Sequence, residues 1–188
     1  MLVATDGGAL ARAARQYGAE APWLRPASIA RSSSPVVDAV LHALDRLRHD
    51  DGYEPETVVL LQPTSPFRTA ASIARGLRVH RRAQGASVVA VSPAVDHPLW
   101  CKRINARGVL VPFVPGRVPA QRQQLPPAFR VNGALYIATP RTLRRSRTFY
   151  SARTRALVLD EVEGLDIDTP FDLVVARALW SARAAGRF

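Results

Sequence analysis

The chain has 188 residues, 47% of them hydrophobic, and a formal net charge of +11. That length and hydrophobic share suit one globular domain with its own core and exclude a wholly disordered chain. No apolar run approaches the roughly 20 residues of a membrane span, and the single cysteine, Cys101, excludes an internal disulfide framework and fits a reducing cytoplasm. The opening MLVATDGG has neither a basic nor a long apolar region, so no signal peptide is expected there, and its LVAT (2–5) reads as a short buried strand ending at Asp6. GGALARAARQYG follows with Leu10, Ala13, Ala14 and Tyr17 at helical spacing and Gly18 placed to end the helix. SSSPVVDAVLHALDRLRHDDG predicts a helix with Val37, Val40, Leu41, Leu44 and Leu47 on one face, Ser34 as N-cap and Pro35 as its first residue. TVVLL (57–61) predicts a central strand, the segment after it a helix capped by Thr69 and stopped by Gly85, and SVVAVS (87–92) another strand. Between Pro93 and Pro127 seven prolines break the pattern around one extended piece, VLVPFV, as an insertion or arm would. RVNGALYIAT (130–139) and RALVLD (155–160) return as strands, and a last helix opens at Thr169-Pro170. Strands alternating with helices predict an α/β sheet.

The charge is unevenly spread. Residues 57–159 hold seventeen Arg and Lys against one acid, Asp96, and both flanks are net acidic. A basic middle suits a pocket for phosphate or carboxylate ligands. The competing explanation is compositional, since 25 of the 26 basic residues are Arg and only Lys102 is Lys.

Three constellations carry chemistry. The first is VVLLQPTSPFRT (58–69), where an apolar strand runs into Gln62, then a Pro-Thr-Ser-Pro turn, then Arg68. Ligands bind at the carboxyl ends of strands in open α/β sheets, and an amide offers both donors and an acceptor to a polyhydroxylated ligand. A helix-capping turn with a solvated Arg would use the same residues. The second is DIDTP (166–170): in an extended segment residues two apart face one way, so Asp166 and Asp168 present paired hard oxygens suited to Mg²⁺. The alternative is that Asp168 or Thr169 merely caps the last helix. The third is QRQQLPPAFRVNGALYI (121–137), in which Arg122 and Arg130 flank glutamines and prolines before Asn132-Gly133. An arginine fork suits a carboxylate or phosphate; a solvated Arg-rich loop is the other reading. No G-x-S-x-G elbow, Walker A loop or G-x-G-x-x-G is present, and the four histidines lack metal-ligand spacing.

In this order the three constellations, with LRPASIA (24–30), DHPLW (96–100) and DIDTPFDL (166–173), resemble the CMP-sialic acid synthetases, or acylneuraminate cytidylyltransferases, over essentially the whole chain. LLQPTSPFRT is similar almost letter for letter to that family's LLQPTSPLRT. The resemblance implies a Rossmann-like nucleotide-diphospho-sugar transferase fold, a mixed, mostly parallel sheet flanked by helices. It implies joining of CTP to a nine-carbon 2-keto acid sugar with release of pyrophosphate, using Mg²⁺ as cofactor. By position, Gln62 and Arg122 would read the sugar and its carboxylate, Tyr136, Phe149 and Tyr150 would line the sugar pocket, and Arg25 would face the nucleotide. Asp166 and Asp168 would be the catalytic, metal-holding pair. Residues 93–127 would be a dimerisation arm lending Lys102 to the partner's site, so a homodimer is expected, with neither a membrane nor a nucleic acid as partner.

Two departures stand out. The family's segment after LRPAELA reads Asp-Thr and then hydroxyl residues, one of them on cytosine; here RSSSPVV puts Ser32 and Val36 at those positions. The family's opening strand and its basic glycine-containing loop, roughly ARGGSKGxxxKN, have no counterpart in residues 1–188, which implies an N-terminally truncated domain that binds CTP poorly and turns over little. Two other readings stay open: a homologue that binds the acid sugar without catalysis, and an Arg-rich nucleic-acid-binding module. Which nonulosonic acid is used is not legible.

Overall fold

In the computed structural model, residues 1–116, 119 and 121–187 are described, with the side chain of residue 122 excepted. The helices are α1 (Gly8–Gln16), α2 (Val36–Asp51), α3 (Ala70–Arg82), α4 (Pro140–Ser146) and α5 (Pro170–Ala184). The strands are β1 (Val58–Leu60), β2 (Val88–Pro93), β3 (Lys102–Ile104), β4 (Leu110–Pro112), β5 (Phe129–Ala138) and β6 (Arg155–Val158). A four-stranded sheet has the order β1-β5-β2-β6, and β3 and β4 form a separate two-stranded sheet. The fold is α/β with a mixed sheet. β1 runs antiparallel to β5, with Val58 opposite Ala138 and Leu60 opposite Tyr136. The amides of Arg155 and Leu159 donate to the carbonyls of Ser87 and Val91, a constant offset that parallel strands require.

Contacts gather the described residues into two compact units. The first comprises Met1–Leu60, Gly76–Val89 and Tyr136–Arg155. Its core is the apolar face of α2: Val37, Leu41 and Leu44 bury against Ala138, Leu143 and Phe149, with Val40, Val58, Leu60 and Tyr136 packed around them. α2 starts one residue later than the sequence suggests. Pro35 has an extended ψ of 134°, so it occupies the N-cap place expected of Ser34, and no side chain caps this helix. Its end is as expected, with Gly52 left-handed at φ 63°. α4 was not expected. Thr139 caps it by accepting from the Thr142 amide at 3.2 Å, and Pro140 follows. Arg144–Asp45 (2.6 Å) and Arg147–Asp38 ion pairs tie it to α2.

Two strand expectations change. LVAT makes only single parallel bridges, Leu2 with Glu20 and Thr5 with Leu24, so it is an extended segment paired to its own neighbourhood. β1 is not central: it stands at the end of the sheet order, three residues long and half-buried throughout.

The second unit comprises Leu61–Arg75 and the described residues of Ala90–Leu135 and Ala156–Phe188. Within it the expected arm is a ribbon, with Lys102 opposite Pro112 and Ile104 opposite Leu110. Asn105 closes the turn, its Oδ1 accepting from the amides of Arg107 (2.9 Å) and Val109 (3.0 Å). The ribbon keeps its apolar side chains outside: Ile104, Leu110 and Phe113 are each about two-thirds exposed or more. α5 opens as predicted, on a Thr169–Asp172 capping box with Pro170 in the first turn.

Candidate functional site

The chemistry-bearing residues of the second unit converge where β1 gives way to the turn 62–69. Just beyond β1, Gln62 is half-buried, and Arg68 reaches back from the far end of the turn. Arg68 donates to the Ala134 carbonyl at 2.7 Å and to the Gln62 carbonyl at 3.0 Å. Its cation is therefore not simply solvated: it clamps the turn to β5, and burial lowers its pKa. Phe67 fills the space beneath, 2% exposed, with its ring centroid 6.3 Å from that of Trp180. Ser65 is buried and its hydroxyl finds no hydrogen-bond partner among the described residues.

The focus of the arrangement is Gly133. Its φ of +75° is left-handed, in the middle of a strand. A β-carbon there would stand 2.5 Å from Gln62 Oε1 and 2.8 Å from Asp166 Oδ2. The glycine thus opens a notch into which the strand-end amide and the loop carboxylate both project. Asp166 Oδ1 is buried and has no hydrogen-bond partner among the described residues. A carboxylate oxygen in that state suits a hard cation. Among the described residues no three His, Cys, Asp or Glu cluster as a metal site would need, so the protein's share of any such site is small.

A buried polar network backs the notch. Asn132 is 1% exposed; its Oδ1 accepts from the Ala134 amide at 3.1 Å and its Nδ2 donates to Ser92 Oγ at 2.9 Å. Ser92 Oγ donates on to the Asp160 carbonyl at 3.2 Å. Gly164 closes over this network, where a β-carbon would meet Ser92 Oγ at 2.1 Å. Asp168 is exposed and plays no part in capping with its side chain. The cap of α5 is Thr169, whose hydroxyl receives the Asp172 amide at 3.2 Å, while the amides of Asp168 and Thr169 donate to Asp172 Oδ2.

The other sequence-predicted residues lie as follows. Lys102 is exposed at the start of the ribbon. Arg122 begins a short 3₁₀ turn, Arg122–Gln124, and its side chain lies outside the described residues. In the first unit Arg25 holds Asp6 at 2.8 Å, and that hydrogen bond keeps the Asp6 carboxyl below its ordinary pKa. The Arg25 Nε is buried and has no hydrogen-bond partner among the described residues. Tyr136 and Phe149 stack at a tilt, centroids 5.4 Å apart, with Phe149 in the core and Tyr150 half-exposed. Sequence reasoning missed the Arg68 clamp, the Asn132–Ser92 pair and the notch. The signal for the last was present, since a lone glycine inside a strand pattern marks a bulge or a close approach.

No family model matches the chain. It is 37% identical over 186 residues to the CMP-N,N'-diacetyllegionaminic acid synthase of Legionella pneumophila, covering 95% of this chain and 77% of that one. It is 29% identical over 124 residues to an N-acylneuraminate cytidylyltransferase of Streptococcus agalactiae, covering 66% of this chain and 30% of that protein's length. Among solved structures, CMP:2-keto-3-deoxy-manno-octonic acid synthetase complexed with CTP superposes with a TM-score of 0.65 at 16% identity, over 97% of this chain and 80% of that one. The expected nucleotidyltransferase fold is the fold observed.

Proposed function

The chain belongs to the acylneuraminate cytidylyltransferase, or CMP-sialic acid synthetase, family, and on that premise we propose how its residues divide the transfer of a cytidylyl group from CTP to a nonulosonic acid, a nine-carbon 2-keto acid sugar. The observation that carries the reading is the notch at Gly133, where Gln62 Oε1 and Asp166 Oδ2 converge and Asp166 Oδ1 is left buried and unpartnered. An amide at a strand end matches a polyol. A bare carboxylate oxygen beside it matches the cation that accompanies a nucleotide triphosphate.

The residues present fit Mg²⁺. It takes oxygen ligands and keeps several waters, so one or two protein carboxylates suffice, and Asp166 with Asp168 would hold it. When bound, the ion would supply positive charge against the phosphate oxygens. Gln62 orients the sugar, and the fork of Arg122 takes its carboxylate. Tyr136, Phe149 and Tyr150 serve sugar specificity, and Arg25 serves the nucleotide. Catalysis is then mainly positioning of the sugar's anomeric hydroxyl against the α-phosphate. The exposed apolar ribbon of the 93–127 arm supports a homodimer in which Lys102 enters the partner's site. The free, exposed Cys101 supports a cytoplasmic setting.

The test is CTP-dependent pyrophosphate release by the purified protein with a panel of sialic, legionaminic and pseudaminic acids. Turnover with one class is expected, with Asp166→Asn removing most of it and Gln62→Ala raising the sugar KM far more than the CTP KM. Release that ignores the sugar, or equal effects of Gln62→Ala on both substrates, would overturn the assignment.

A further inference from the structure

We propose that Glu163 is a positioning residue: it latches the acidic loop 160–168 onto the first turn of α3 and so fixes Asp166 at the Gly133 notch. The inference rests on the reading of Asp166 as a metal-holding carboxylate. Glu163 is held from two directions. Its Oε1 accepts from Thr69 Oγ1 at 2.7 Å and from Ser72 Oγ, and its Oε2 lies 3.7 Å from Arg75 Nη2. Its own amide donates to Asp160 Oδ1 at 2.7 Å. The side chain is only 18% exposed.

The helix does not need this carboxylate for its cap. Thr69 Oγ1 already accepts the Ser72 amide at 3.1 Å, which is what a cap does. What Glu163 adds is a bond between segments: a charge-assisted link from the loop to the start of α3, where the helix dipole favours an anion. On the other side of Asp166, the Ile167 amide donates to the Thr64 carbonyl at 2.9 Å. The carboxylate is therefore bracketed by two ties, three residues before it and one residue after it. One tie ends on Thr64 in the turn that carries Gln62, the other on Thr69 at the end of that turn and on the start of α3 behind it. The amide and the carboxylate at the notch are thus set by one clasp, and Glu163 is the part of it that substitution can release without touching either.

The experiment compares wild type with Glu163→Gln, which keeps the shape and loses the charge, and with Ser72→Ala, which keeps the cap of α3. Hydrogen exchange without metal should show the amides of Gly164, Leu165 and Ile167 losing about tenfold in protection in Glu163→Gln, the scale of a lost hydrogen bond to a charged group. Mn²⁺ affinity, read by water-proton relaxation, should fall about tenfold, as for other groups that orient a metal ligand. Ser72→Ala should act in the same direction, and the double variant should lose less than the two losses combined. Unchanged exchange and unchanged Mn²⁺ affinity in Glu163→Gln would overturn the latch. A wild type that binds no Mn²⁺ would instead overturn the metal reading, and the metal-free exchange comparison would still decide the latch.

Discussion

Gly133 is the residue on which the second unit's notch turns, and it acts through what it lacks. A methyl group there would face the strain of φ +75° and would meet Gln62 Oε1 and Asp166 Oδ2 inside normal contact distance. Both are side-chain ends and can withdraw, so the fold should survive while the convergence is lost. Gly133→Ala should therefore lower kcat/KM by about 100-fold or more, the scale of a misplacement of roughly 1 Å, with a far-UV spectrum like that of wild type. Activity within a few fold of wild type would show that Gln62 and Asp166 need not meet. Asp166 and Gln62 themselves stood out in the sequence through residue type and phase, one as an acid in an in-phase pair and the other as an amide at a strand end. Their meeting was not. It depends on three segments far apart in the chain, and only the odd glycine inside the β5 pattern hinted at it.

At the scale of elements, helices that show three or more turns of apolar period with a cap or stop were readable: α2, α3 and α5 lie within a residue or two of expectation. α4 has only seven residues, too few to display a period, although its Thr139-Pro140 start has the same form as Thr169-Pro170. Strand partners were not readable. TVVLL looks central because four of its five residues are apolar, yet what lies beside a strand is decided by distant chain, and β1 has a sheet neighbour only in β5 among the described strands. The α5 start permits a prediction. Hydrogen bonds from the Thr169 hydroxyl, and then from nearby backbone amides, hold the Asp172 carboxyl below its ordinary pKa. A depressed folded pKa contributes stability above the unfolded value, near 3.9, and that contribution is lost as pH falls through the folded value. Thr169→Ala should cost about 1 kcal/mol, or a Tm about 2–4 °C lower for a chain this size. Asp172→Asn should flatten the acid side of the Tm–pH curve. An unchanged slope below pH 4 would mean that the box contributes nothing there.

At the scale of the whole molecule, the alternation of strands and helices was enough to give the α/β class, whereas the grouping of contacts into two units had no local signature: β2, β5 and β6 each contribute residues to both. Composition left a more useful trace. The basic residues are almost all arginine, and the one lysine, Lys102, stands exposed at the head of the ribbon. A protease specific for lysine therefore has a single bond to cut, between Lys102 and Arg103, giving two fragments that one gel resolves. Cutting there requires the ribbon to open locally, so the rate reports on whatever covers it. If two copies pair through their arms, the half-life of that bond should lengthen as protein concentration rises through the dimerisation range. A half-life independent of concentration would leave the ribbon uncovered and count against the homodimer. The bias toward arginine has, in effect, written a built-in footprint for the arm into the chain.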